Sequence, residues 1–480
     1  MIITDDTPQS PTSPDKASAS TPLLSGASGS GAPPPAYVPR ETGPTPIGTV
    51  YQPVYGQRRE SAARRFCLAF LIAFGIWILA SALLGSIVDR TAFEHGTYPT
   101  YPGVSTETCV STWRTGVGGT QGSFPYSAGI TLDVPLPDET LLFLSQGSLS
   151  AGNLRITTSS EISGIARVHI TVHYYRENVR DSAKICSIDR KSGERGVGIF
   201  TPMWSSPSAT DRLYFDVVLT LPRGNPLYIN RLATDVNNFS HDLDALKDIV
   251  NFGEISLKGT NGQIFTGSLG AAVATLTTTN APVKADYLAT QSTTVRTSND
   301  AISGNYYAVD LVDLRTSNGP VNVFVDLDSS DSKATKKVTM RTSNDVLAST
   351  INLGTPSGSG GKFHVDAETS NGLLATTIAS SPLDAVLYVQ AKTSNSPASL
   401  TLPPTYEGDF DVRSSNSAPP ALKRLNPLEK DPASKGRTRA VGTNVMTKRT
   451  MSGTVYWTKA NRHRGTVKLE TSNAPVTLYV

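Results

Sequence analysis

The chain has 480 residues, with 43 Lys and Arg against 40 Asp and Glu, a net charge of +3, and 38% hydrophobic, 17% charged and 7% aromatic side chains. That length is enough for roughly two to four domains, and the near-neutral balance excludes a protein built chiefly to neutralise phosphates, so no nucleic-acid partner is expected. With 3 Cys, a disulfide-framework scaffold and a four-Cys zinc site are excluded, and no cofactor or metal is expected.

Residues 1–57 contain 11 Pro, 6 Gly, 7 Ser and 7 Thr. Such a segment buries too little apolar surface to offset its ordering entropy, and residues 1–65 are expected to form a disordered tail. Within it, Pro34-Pro35-Ala36-Tyr37 matches a WW-domain ligand, which presents a preformed polyproline II turn and a Tyr ring.

Phe66–Val88 then runs for 23 residues without a charge, spanning about 34 Å as a helix, enough to cross a bilayer. Arg58, Arg59, Arg64 and Arg65 crowd its N-terminal flank. The positive-inside bias places the tail in the cytosol and the rest outside the cell or in a lumen. The sequence thus predicts a single-pass signal-anchor, with Cys67 at its cytosolic end.

Residues 89–129 are read as a juxtamembrane stalk and 130–254 as a β-rich region. Arg167–His173 and Leu213–Leu219 alternate apolar and polar residues, and His241–Val250 is the longest stretch with any helical pattern. Cys109 and Cys186, on the oxidising side, either pair or stay as two free thiols. Asn238-Phe239-Ser240 is the N-glycosylation candidate.

Residues 255–480 carry a repeat. Thr-Ser-Asn ends at Asn299, Asn318, Asn344, Asn371, Asn395 and Asn473, with variants ending at Asn261, Asn280 and Asn416. Successive spacings are 19, 19, 19, 26, 27, 24, 21 and 57 residues. A period near twenty with one turn signature per copy predicts a β-solenoid, each Asn at a corner where its tolerance of the left-handed conformation eases the bend. Stacked in register, the Asn amides would form a ladder. Residues 421–465 hold 11 Lys and Arg against Glu429 and Asp431. They are read as a basic loop inserted between coils, or as a patch for acidic glycans or lipid headgroups.

With Thr220-Leu221-Pro222-Arg223-Gly224 ahead of these repeats and Leu402-Pro403-Pro404-Thr405-Tyr406-Glu407-Gly408 interrupting them, the chain resembles the adhesin-like β-solenoid family of unknown function, found in bacteria and fungi. The likeness spans roughly residues 130–480, and the tail plus anchor is similar to fungal membrane-anchored members. The resemblance implies the fold and a surface role, and supplies no catalytic or binding residue.

Other chemistry is thinly represented. His169 and His173 are four apart, which would chelate zinc on a helix, but on a strand they lie about 13 Å apart. Asp300, Asp345, Glu368 and Glu470 are dispersed, whereas a glycan-cleaving β-helix needs clustered carboxylates. The expected protein is therefore all-β and non-catalytic, displaying or scaffolding through solenoid faces, with the bilayer, glycans or cell-wall polymers and WW-domain proteins as partners. The alternatives are a carbohydrate-active β-helix enzyme and a membrane adaptor that recruits WW-domain proteins.

Overall fold

The computed structural model describes residues 97–110, 112–115, 122–205, 207–224, 226–329, 333–426 and 428–480. The tail reading of 1–65, with Pro34, Pro35 and Tyr37, and the span reading of 66–88 lie outside them. Among the described residues no helix is long and apolar enough to cross a membrane.

Strands dominate the described chain, which has almost no helix. In order these are β1 (Ser105–Val110), β2 (Arg114–Thr115), β3 (Tyr126–Pro135), β4 (Thr140–Gln146), β5 (Ala151–Ser159) and β6 (Ile165–Tyr174). The five-residue helix α1 (Glu177–Asp181) precedes β7 (Lys184–Lys191), β8 (Glu194–Phe200), β9 (Leu213–Pro222), β10 (Leu227–Val236), β11 (Asn238–Ala245) and β12 (Val250–Gly259). Three 14-residue strands follow, β13 (Ile264–Thr277), β14 (Val283–Arg296) and β15 (Ile302–Arg315). Then come β16 (Val321–Asp328), β17 (Thr335–Arg341), β18 (Leu347–Gly354), β19 (Lys362–Glu368), β20 (Leu374–Ser380), β21 (Val386–Lys392) and β22 (Ala398–Thr401). The last are β23 (Gly408–Ser414), β24 (Ala421–Lys423), β25 (Ala440–Met446), β26 (Thr450–Tyr456), β27 (Gly465–Thr471) and β28 (Val476–Tyr479).

The strands follow from period-two patterning. In β16, Val321, Val323, Val325 and Leu327 are buried while Asn322, Phe324, Asp326 and Asp328 turn outward. One turn of chain later, Leu347, Ser349, Ile351 and Leu353 fall in register on the same inner positions. Each turn therefore buries its apolar face against the turns before and after it.

Two hydrogen-bonded ladders result. The first runs β1-β7-β8-β4-β10-β12-β13-β14-β15-β17-β19-β21-β27-β23-β26-β25. The second runs β2-β3-β6-β9-β5-β11-β13-β14-β15-β16-β18-β20-β22-β28-β24. The long strands β13, β14 and β15 pass from one ladder to the other. All pairings from β8 to β23 are parallel, whereas β1-β7-β8 and β23-β26-β25 are antiparallel. Antiparallel strands thus flank the parallel stack at both ends of the first ladder and, through β2-β3-β6-β9, at one end of the second, whose other end is the parallel strand β24.

Four expectations change here. Within the 89–129 stretch read as a stalk, β1 and the start of β3 pair with β7 and β6. No boundary separates 130–254 from 255–480, since β10 and β11 pair in register with β12 and β13. The helical candidate at 241–250 is strand β11 and a turn, because His241 and Leu243 point inward at period two. The insertion at 421–465 is not a structureless loop: β25 and β26 form a hairpin on β23.

The largest departure is chain order. The C-terminal pair β27–β28 lies between β21–β22 and β23–β24, so the last turn of sequence is not the last turn of the stack. The charges along one row agree with this order. It sets Glu368, Lys392, Glu470 and Arg413 in successive positions of one row. Sequential stacking would instead bring Lys392 against Arg413, and like charges directly opposite are destabilising.

Candidate functional site

The repeated triplet is built from three different side-chain jobs. Its Thr points inward and donates to a carbonyl of the preceding turn, as in Thr297 to Ala281 O at 3.0 Å and Thr342 to Gly319 O at 2.8 Å. The Ser and Asn amides donate to one carbonyl, that of Thr279 for Ser298 and Asn299. The Asn side chain points out and donates its Nδ2 to the Oδ1 of the Asn one level back, at 2.7 Å for Asn318 to Asn299.

The ladder joins Asn238, Asn261, Asn280, Asn299, Asn318, Asn344, Asn371, Asn395, Asn473 and Asn416 in that spatial order. Three points differ from the sequence reading. Asn238 is its first member; Asn473 precedes Asn416; and no corner Asn has positive φ among the described residues. Asn is used here for an amide that both donates and accepts, so that each level binds the next, and not for a left-handed bend.

Asn238 is half-buried, and its Nδ2 also donates to Ser150 O at 3.3 Å. Cys109 and Cys186 face each other across β1 and β7 and are joined by a disulfide. His169 and His173 occupy β6 without a common ligand site. His169 meets Thr131 Oγ1 at 2.9 Å, and His173 meets Asp216 Oδ2 at 3.0 Å. Among the described residues no group of three His, Cys, Asp or Glu side chains is placed to hold a metal.

The four acidic candidates do not converge. Asp300 and Asp345 each accept from the next backbone N–H, of Ala301 and Val346, and thus cap corners. Glu368 lies 3.6 Å from Arg341, and Glu470 sits between Lys392 and Arg413. A carboxyl pair that sequence reasoning did not single out is Glu107 with Asp189. Their mutual hydrogen bond raises the Glu107 carboxyl above its ordinary value, while that bond and Arg195 lower Asp189.

The basic insertion forms the capped end. Glu407 organises it: its Oε1 accepts from Trp457 N at 2.8 Å and Thr458 N at 2.7 Å, and its Oε2 from Asn461 Nδ2 at 2.7 Å. Three of the arginines are neutralised. Arg437 pairs with Asp431, whose carboxyl is held well below the usual range by that guanidinium and by backbone N–H donors. Arg439 pairs with Glu429, and Arg464 with Asp384.

Arg424 and Arg462 have no carboxylate partner among the described residues and line one cavity of about 660 Å³ with His463, Tyr456, Asn444 and Thr454. Arg462 Nε donates to His463 Nε2 at 2.9 Å, which leaves His463 Nδ1–H to donate to Asp409 Oδ1 at 2.8 Å. No carboxylate lines the cavity. The signal available in the sequence was the charge excess of the whole segment, which does not tell paired arginines from open ones.

No family model matches the chain, and no curated protein matches it. Solved structures give three distant likenesses. A candidate cell adhesion protein of Clostridium sporogenes is 11% identical, with 73% of this chain and 99% of that one covered and a TM-score of 0.17. A candidate adhesin of Bacteroides fragilis is 14% identical, with 53% and 96% covered and a TM-score of 0.26. A candidate adhesin of Parabacteroides merdae is 12% identical, with 55% and 92% covered and a TM-score of 0.18. None is close enough to lend its name to this chain.

Proposed function

We propose that this chain is a non-catalytic, adhesin-like display protein. Phe66–Val88 anchors it with a cytosolic tail, and the stacked turns form a β-solenoid outside the cytosol. The supporting observation is the capped end, where two uncompensated arginines line a cavity of about 660 Å³. It is carried away from the first described residues by the whole parallel stack. Tyr98, hydrogen-bonded to Ser182 beside β7, and the hairpin strand β26 are thirteen ladder steps apart, about 60 Å at ~4.8 Å per step. Cross-linking of ten successive levels by the Asn ladder suits a stiff spacer more than a moving catalytic scaffold. The resemblance of the Thr-Ser-Asn repeats to adhesin-like solenoids points the same way.

The test is adhesion scored together with turnover. Cells displaying the full chain are expected to be retained on surfaces coated with cell-wall polysaccharide several-fold more than cells without it, with the polymer left intact. Equal retention argues against display. Shortening of the polymer would favour the carbohydrate-active alternative.

A further inference from the structure

We propose that the cavity at the capped end binds an acidic saccharide, a sugar chain bearing carboxylate or sulfate groups, with Arg424 and Arg462 as the anion-recognising pair. The inference rests on the display reading and names the ligand class of its distal end.

Three features carry it. Of the six arginines in this insertion, Arg437, Arg439 and Arg464 are spent on carboxylates, Arg449 lies in the turn between β25 and β26, and the other two line the same cavity. Arg424 donates only to a backbone carbonyl, that of Val441 at 3.5 Å, and two guanidiniums without a carboxylate in one cavity favour an anion between them. Second, Arg462 is held in place: His463 accepts from its Nε and is itself fixed by Asp409, so the guanidinium edge beyond Nε has no other hydrogen bond among the described residues. Third, the remaining polar groups suit a sugar. Tyr456 offers a half-buried ring, and Asn444 and Thr454 offer amide and hydroxyl partners for ring hydroxyls. A volume of about 660 Å³ lies within the range of sites that enclose small ligands.

A lipid surface is the competing anion, and the geometry disfavours it. The open arginines sit in a concavity. The exposed apolar pair Val445 and Met446 follows Asn444 at the tip of the hairpin, where Met446 faces Met451, and neither side chain lines the cavity. A membrane-docking surface would put apolar and cationic groups together on a projection, as Val445, Met446, Lys448 and Arg449 do at the hairpin tip, whereas no exposed large apolar side chain lines the cavity.

The experiment uses the full chain, immobilised through its N-terminus and titrated with polygalacturonate, chondroitin sulfate, an uncharged β-glucan and phosphatidylserine vesicles. Acidic polymers are expected to bind at least tenfold more tightly than the neutral glucan. The double variant Arg424→Gln/Arg462→Gln is expected to lose at least tenfold of that affinity, with an unchanged unfolding midpoint. Arg462→Lys, which keeps the charge but not the planar fork, falls between, and Lys430→Gln, outside the cavity, stays within twofold of the parent. Equal binding of neutral and acidic polymers, a double variant that binds like the parent, or vesicle capture that acidic polymer does not displace would each overturn the assignment. If displaying cells adhere and the double variant adheres equally, this site falls while the display reading stands; if no cells adhere, both fall.

Discussion

Deleting residues 465–480 is expected to abolish cooperative folding of the C-terminal third, not to shorten the stack by one turn. Val467, Leu469, Val476, Leu478 and Val480 are all buried, each at 4% exposure or less. At about 1.5–3 kcal/mol per side chain this burial amounts to roughly 8–15 kcal/mol, as large as the whole net stability of an ordinary domain. The deleted strands lie between β21 and β23 in the first ladder and between β22 and β24 in the second. Their loss leaves β24 without a partner and strips β21, β22 and β23 of one of their two, and closing the gap would set Lys392 against Arg413. Limited proteolysis of the truncated chain should cleave throughout 386–464, and urea unfolding should lose its single transition. A truncated chain with parental protection and midpoint would show that the segment is a dispensable tail. Leu469→Ala is the milder version and should cost about 2–5 kcal/mol.

Acid should destabilise the stack through one core residue. His241 is fully buried; its Nε2 meets Thr234 Oγ1 at 2.8 Å and its Nδ1 has no partner. Burial disfavours the imidazolium and pushes its pKa down to about 4 from an ordinary 6.5. The unfolded chain therefore takes up a proton near pH 6.5 that the folded chain refuses until near pH 4, and in that window the unfolded state binds more protons. Stability must then fall as pH drops from about 6.5 to about 4, by about 3 kcal/mol in all. His241→Gln, which can keep a hydrogen bond to Thr234 but cannot titrate, should flatten that dependence by one proton. Parallel pH profiles for the two proteins, read as unfolding midpoints between pH 7 and pH 4, would contradict the assignment.

What the sequence made legible was whatever repeats locally. Val321, Val323, Val325 and Leu327 announce a strand because a pleated backbone sends alternate residues to one side. The Thr-Ser-Asn triplets announce a period because each side chain has a fixed bonding task at the corner. In the sequence Asn238 reads as a glycosylation candidate and not as a repeat corner, since neither Val236 nor Asn237 before it completes the Thr-Ser pattern, although its distance of 23 residues from Asn261 fits the repeat. The reason assigned to Asn was also incomplete: the amide supplies a bond to each neighbouring level, and the backbone needs no left-handed residue there.

Spatial order was the least legible property. Parallel strands pair through contacts that chain distance does not encode, so Asn416 and Asn473 could be counted but not placed. The usable signal was electrostatic, the sign alternation that sets Glu470 between Lys392 and Arg413. At the capped end, Pro, Gly and charge in 421–439 suggested a loop. That stretch is ordered by Asp431 accepting from Arg437 and from the backbone N–H groups of Ala433 and Lys435. The paired arginines hold the cap together, and Arg424 and Arg462 face the cavity.

The insertion of the C-terminal turn underlies both the cap and the cavity, and a cross-link reads it directly. Ser472 N donates to Ser394 O at 3.1 Å, and Asn416 N to Ser472 O at 2.7 Å, so Ser472 sits between the corners of the two flanking levels. In a Cys67→Ser background, the pair Ser394→Cys with Ser472→Cys should oxidise to an intramolecular disulfide found by peptide mass spectrometry, while Ser394→Cys with Ser415→Cys should not. The reverse result, a link from 394 to 415 and none from 394 to 472, would mean that the turns stack in chain order.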